Sequence, residues 1–110
     1  MSLDFDLQYE IDGNEVGVFD INITHNLGKM ADEAGVYYAL WRPDERDWKI
    51  AKDIIPILED GLTKLKENPE HYKKFDAENG WGTYEHFVPF VEDVLRACKQ
   101  YPSAIIRISR

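Results

Sequence analysis

The chain has 110 residues, 44% of them hydrophobic and 13% aromatic, and carries a net charge of −8. That length fits one domain, residues 1–110, able to bury roughly two-thirds of its unfolded surface without metal or disulfide staples. The composition excludes a disordered chain. The acidity argues against direct nucleic-acid binding, because the nearest basic group, Lys64, Lys66, Lys73 and Lys74, is interrupted by Glu67 and Glu70.

Cys98 is the single cysteine. No disulfide framework is expected within one chain, which fits a reducing compartment. No stretch approaches the ~18 apolar residues of a membrane span. The opening residues, Met1-Ser2-Leu3-Asp4-Phe5-Asp6, have neither the basic nor the apolar region of a secretory leader. A cytoplasmic protein without a membrane segment is the expectation.

Leu3, Phe5, Leu7, Tyr9 and Ile11 alternate with Asp4, Asp6, Gln8, Glu10 and Asp12. Unbroken period two predicts a half-buried antiparallel strand with all five apolar residues inward. Asp12-Gly13-Asn14 supplies turn chemistry, and residues 16–23 form the return strand. On that strand Phe19, Ile21 and Ile23 point inward, while Val16 and Val18 fall on the wrong phase; Gly17 between them suggests a bulge.

Thr24 then reads as a helix cap. Leu27, Met30, Ala31 and Ala34 follow at helical spacing, and Gly35 stops the helix. A short aromatic-rich piece over residues 36–41 ends at Pro43. A longer helix is expected over residues 44–68, with Trp48, Ala51, Ile55, Leu58, Leu62 and Leu65 as its apolar stripe. Pro56 lies inside that pattern and should kink or split it. Asn68-Pro69 reads as a cap with proline at the first helical position of a short helix that turns Tyr72 and Phe75 inward. Residues 76–82 form a loop, and Thr83 caps the last helix. Its apolar face is Tyr84, Phe87, Val91, Val94, Leu95 and Cys98. Pro89 lies near its first turn, where a proline does less harm. Tyr101-Pro102 ends the helix, and residues 104–109 form a closing strand beside the first.

The predicted fold is α+β: a small antiparallel sheet, made of the N-terminal hairpin plus the C-terminal strand, with three to four helices packed on one face. The other face carries Asp4, Asp6, Glu10, Asp20, Asn22 and Arg107.

Chemistry-bearing residues gather at a few places. His25, Asn26 and Lys29 lie where a strand gives way to a helix, and such a start offers unpaired N–H groups to an anion; simple capping by Thr24 or Asn26 is the alternative. Arg42 beside Trp41 could stack on an aromatic ring or clamp a carboxylate or phosphate, or could pair with Asp44 or Glu45 over a buried Trp41. In Asn79-Gly80-Trp81-Gly82-Thr83-Tyr84, two glycines impose a geometry on Trp81. Trp81 and Tyr84 either line a ligand surface or belong to the core.

His25, His71 and His86 lie far apart, with no His or Cys at i+3 or i+4, so neither a metal site nor a cofactor is expected. Cys98, on a core face, should be inert. No spacing singles out a catalytic couple.

The segments Ile23-Thr24-His25-Asn26-Leu27-Gly28-Lys29-Met30-Ala31, Leu40-Trp41-Arg42-Pro43, Asn79-Gly80-Trp81-Gly82-Thr83-Tyr84-Glu85 and Tyr101-Pro102 together resemble a small family of uncharacterised proteins from bacterial and phage genomes. The resemblance covers most of the chain from Ile23 onward. It implies a prokaryotic or phage source and carries no activity with it.

Two functions remain in view. One is a non-enzymatic protein-interaction module whose acidic sheet face meets a basic protein partner. The other is a small domain or enzyme that uses His25, Lys29 and Arg42 around an anionic ligand. A cleft joining those three side chains would favour the second; a flat acidic face with exposed aromatics would favour the first.

Overall fold

The computed structural model describes residues 2–110. Strand β1 (Ser2–Ile11) and strand β2 (Asn14–Thr24) form the hairpin. Asp12 and Gly13 both have positive φ, 53° and 79°, the two-residue turn whose twist matches that of the strands it joins. Strand β3 (Ile105–Ser109) lies antiparallel on the other side of β1, giving the order β2-β1-β3. Helices α1 (Gly28–Glu33), α2 (Tyr37–Trp41), α3 (Ala51–Glu67), α4 (Pro69–Lys73) and α5 (Tyr84–Gln100) complete an α+β fold.

Leu3, Phe5 and Leu7 are fully buried, joined by Ile106 and partly by Ile108 opposite them. Tyr9 is half-buried and Ile11 is 54% exposed, so the inward row stops short of the expected fifth residue. The reason is reach. β3 pairs only with residues 4–8 of β1, and the hairpin runs on past the core in a molecule of 47 × 27 × 22 Å.

The bulge expected at Gly17 is present. Leu7 faces Phe19 but Gln8 faces Gly17, leaving Val18 as the extra residue. The offset restores phase, so Val16 sits opposite Tyr9.

The long helix begins at Ala51, not at residue 44. Pro43 opens a 3-10 turn over Pro43–Arg46 that ends at Asp47 in a left-handed conformation. Ile50 is extended and lies against β3, where it bridges Ile105 and the Ile106 N–H donates to the Lys49 carbonyl. The Asp53 carboxylate accepts from the N–H groups of Lys49 and Ile50 at 3.0 and 3.2 Å, which fixes the start of α3. Trp48 is therefore off the helix. The buried stripe is centred on Ala51, Ile54, Leu58, Gly61 and Leu65, with Ile55 and Leu62 at its margin. Gly61 is needed there, because a Cβ would run into Val36 Cγ1. α3 passes through Pro56 without splitting. The carbonyl that a residue-56 N–H would have satisfied belongs to Lys52, an exposed residue.

α5 buries the whole predicted face, Tyr84, Phe87, Val91, Val94, Leu95 and Cys98. Thr83 is its N-cap residue, as expected, but the Thr83 side chain makes no capping hydrogen bond. Asp76 Oδ1 accepts from the Tyr84 N–H at 2.7 Å, while Thr83 Oγ1 lies 3.2 Å from His86 Nδ1. Asn68 likewise places Pro69 at the first position of α4, but its amide turns back to donate to the Lys64 carbonyl and close α3. One apolar cluster spans sheet and helices, and no polar or charged residue among those described is buried.

Candidate functional site

Two neighbouring clefts meet at His25. The first, about 630 Å³, is lined by His25, Lys29, Tyr37, Trp41, Arg42 and Arg110, among others. The short helix α2 builds its wall. Tyr37 and Trp41 stand one turn apart, so their rings stack, with centroids 5.5 Å apart and planes 9° from parallel. Trp41 is almost fully buried, and its indole N–H donates to His25 Nδ1 at 2.9 Å. With Nδ1 accepting, the ring proton of His25 sits on Nε2.

Arg42 follows α2 directly. Its Nε donates to the Tyr37 hydroxyl at 3.2 Å and its Nη1 to Glu45 at 2.9 Å. Those hydrogen bonds, Tyr37 first, push its pKa above the ordinary arginine value, so the charge is permanent. Lys29 projects from α1. Arg110 arrives from beyond β3 and donates to the Trp41 carbonyl at 2.9 Å. Among the described residues that line this cleft beside these cations, Asp32 is the one Asp or Glu.

The expected contribution of a helix N-terminus is not what shapes the cleft. A 3-10 turn, His25–Leu27, precedes the six-residue α1, and Thr24 Oγ1 already accepts from the Asn26 N–H. Side chains supply the positive charge.

The second cleft, about 700 Å³, lies between the strand end at residues 22–24 and the loop that carries Trp81. Gly80 and Gly82 have φ of 77° and 114°, and together they turn Trp81 outward. The indole is 72% exposed and is not a core residue. Its backbone is held all the same: its N–H donates to Asn79 Oδ1 at 3.0 Å, and its carbonyl accepts from Asn26 Nδ2 at 2.8 Å. Gly82 presses on the strand end, where a Cβ would stand 2.9 Å from Thr24 Cγ2.

Of the residues singled out from the sequence, His25, Lys29 and Arg42 share the first cleft, while Asn26 and Trp81 share the second with His25. Tyr84 belongs to neither. It is buried, and its hydroxyl donates to the Leu65 carbonyl at 2.7 Å, so it serves the core. His86 lines the second cleft, and His71 pairs with Glu33 at 3.1 Å elsewhere. Tyr37 and Arg110 were not singled out. The Tyr37–Trp41 spacing could have flagged the first, but no local pattern flags the second.

Burial pushes the Cys98 thiol up to about 12, so at neutral pH it is protonated and unreactive. No group of three or more His, Cys, Asp or Glu side chains among the described residues could hold a metal ion. No helix among them is long and apolar enough to cross a membrane. Set against family models, curated proteins and solved structures, the chain matches none.

Proposed function

We propose that the chain binds a small ligand bearing a carboxylate or phosphate group in the cleft between α1 and α2. One observation carries this reading: on a protein of net charge −8, Lys29, Arg42 and Arg110 gather around a stacked aromatic pair. Arg42, already oriented by Tyr37 and Glu45, offers its remaining N–H groups to the anion. Lys29 adds a mobile point charge. His25, held by the Trp41 indole, can donate from Nε2. The Tyr37 ring, backed by the buried Trp41, suits an apolar or flat body attached to the anionic group. The cleft volume falls in the range of small-molecule sites.

The test is titration with inorganic phosphate and with phenyl phosphate, followed by tryptophan fluorescence and amide chemical shifts. Arg42→Gln should weaken phosphate binding about 10- to 100-fold, the usual range for a hydrogen bond to a charged group. Arg42→Lys should recover only part of it, because the forked geometry is lost. Equal binding by wild type and Arg42→Gln would refute the assignment.

A second reading, a basic protein partner on the acidic sheet face, is supported by Asp6. It stands directly opposite Asp20 in the β1–β2 ladder, and its carboxyl is held above the usual value by partial desolvation, then by Asp20 and Asp4. A cationic surface would relieve that repulsion, and salt would weaken such an association.

A further inference from the structure

The second cleft differs in kind from the first. Among the described residues that line it there is no Asp, Glu, Lys or Arg, in a chain where 31% of residues are charged. What it presents instead is an exposed indole and a set of amide and imidazole groups, each held by one atom. Asn26 spends its Nδ2 on the Trp81 carbonyl, which leaves Oδ1. Asn79 spends Oδ1 on the Trp81 N–H, which leaves Nδ2. His86 meets Thr83 Oγ1 through Nδ1, which leaves Nε2, and His25 is held through Nδ1 by Trp41. Each side chain is oriented and retains a donor or acceptor for a ligand.

We propose that this cleft is a binding site for a neutral saccharide. A pyranose has the complementary build. Its axial C–H groups form an apolar face of weak positive potential, matched to the negative face of an indole. Its hydroxyls are uncharged and both donate and accept, matched to amide and imidazole edges. A charged ligand finds no counter-charge here, and burying an unpaired charge is costly. The loop also meets the need for pre-organisation: Trp81 is exposed, yet its backbone is fixed on both sides and Gly82 is wedged against Thr24 and Leu27.

This site is independent of the anion-binding reading, and the experiment keeps the two apart. Wild type, Trp81→Ala, Trp81→Phe and Lys29→Gln/Arg42→Gln are titrated with maltotetraose, cellotetraose and chitotetraose, and separately with inorganic phosphate. Binding is followed by calorimetry and by the shifts of the indole N–H resonances. At least one neutral oligosaccharide should bind wild type with a dissociation constant in the region of ~1 mM or tighter. Trp81→Ala should lose it by at least about tenfold and Trp81→Phe should keep part of it, both with unchanged thermal midpoints because the ring is exposed. Lys29→Gln/Arg42→Gln should leave saccharide binding intact. No binding of any of the three at about 10 mM, or equal binding by Trp81→Ala, overturns the proposal. So does self-association of wild type that Trp81→Ala abolishes, which would assign the ring to a contact between copies. Loss of phosphate binding alone bears only on the first cleft.

Discussion

Asp6 shows how one side chain can set a pH dependence for the whole fold. It faces Asp20 on β2 and Arg107 on β3, but Arg107 Nη2 is engaged by Glu15 at 3.1 Å, so the aspartates are left to repel. Its carboxyl is held above the usual 3.8, chiefly by desolvation and then by Asp20 and Asp4. A carboxyl with a raised folded-state pKa binds its proton more tightly folded than unfolded. Its favourable contribution is complete below the unfolded value and is lost as pH rises through the folded one. Asp6→Asn should therefore stabilise the protein at pH 7 by a few tenths of a kcal/mol, the scale of an opposed like-charge pair in solvent. The gain should vanish below about pH 3.8. Urea midpoints of both proteins at neutral and acid pH check this; a gain that persists in acid would assign the effect to packing. Cys98 is the contrary case, a titratable group silenced by burial.

At the scale of elements, capping decides where helices begin, and the side chain that caps α5 comes from a distance. Asp76 lies well before α5 and still receives the Tyr84 N–H at 2.7 Å. Asp76→Ala should cost about 1 kcal/mol, as loss of a carboxylate cap usually does, and Thr83→Ala distinctly less. Denaturant unfolding of both variants measures the difference, and the reverse ranking would assign the capping bond to the Thr83 side chain. The same distance effect sets how much of the fold was legible in the sequence. The periodicities of β1 and α5 were legible because each buries one face against the rest, so spacing alone identifies Leu3, Phe5, Leu7 and the Phe87–Cys98 face. The start of α3 was not, because the helical spacing of Trp48 continues the stripe while Ile50 is claimed by a bridge to Ile105 from the far end of the chain. The site divides the same way. His25, Lys29 and Arg42 stood out by residue type and do converge. The exposure of Trp81 depends on Gly82 docking against Thr24, and the arrival of Arg110 depends on β3. Neither leaves a local trace.

The whole molecule sets a local positive cleft inside a negative body. Within about a Debye length of the surface, roughly 8 Å, the acidic body repels an approaching anion, and close to Arg42 and Lys29 the sign reverses. Salt should therefore speed the arrival of an anionic ligand while weakening its hold. The hairpin shapes the molecule in another way. Past Tyr9, which meets Tyr101 edge to face at 6.3 Å, its two strands have no backbone pairing to β3, and the Glu15–Arg107 ion pair at 3.1 Å is a side-chain tie to that strand. Ile11 and Val16 are left 54% and 42% exposed. That overhang behaves as a zip fastened at one end. With little buried area to hold it, the tip should part from the Asp12-Gly13 turn inward before the rungs beyond Tyr9 do. Amides of residues 10–16 should exchange with solvent at least about a hundredfold faster than those of residues 3–7, after correction for intrinsic rates. Uniform protection along the strand would mean that the tip and the core melt as one. With a graded profile, the chain carries a fraying arm on a firm base, tied back to it through Glu15 and Arg107.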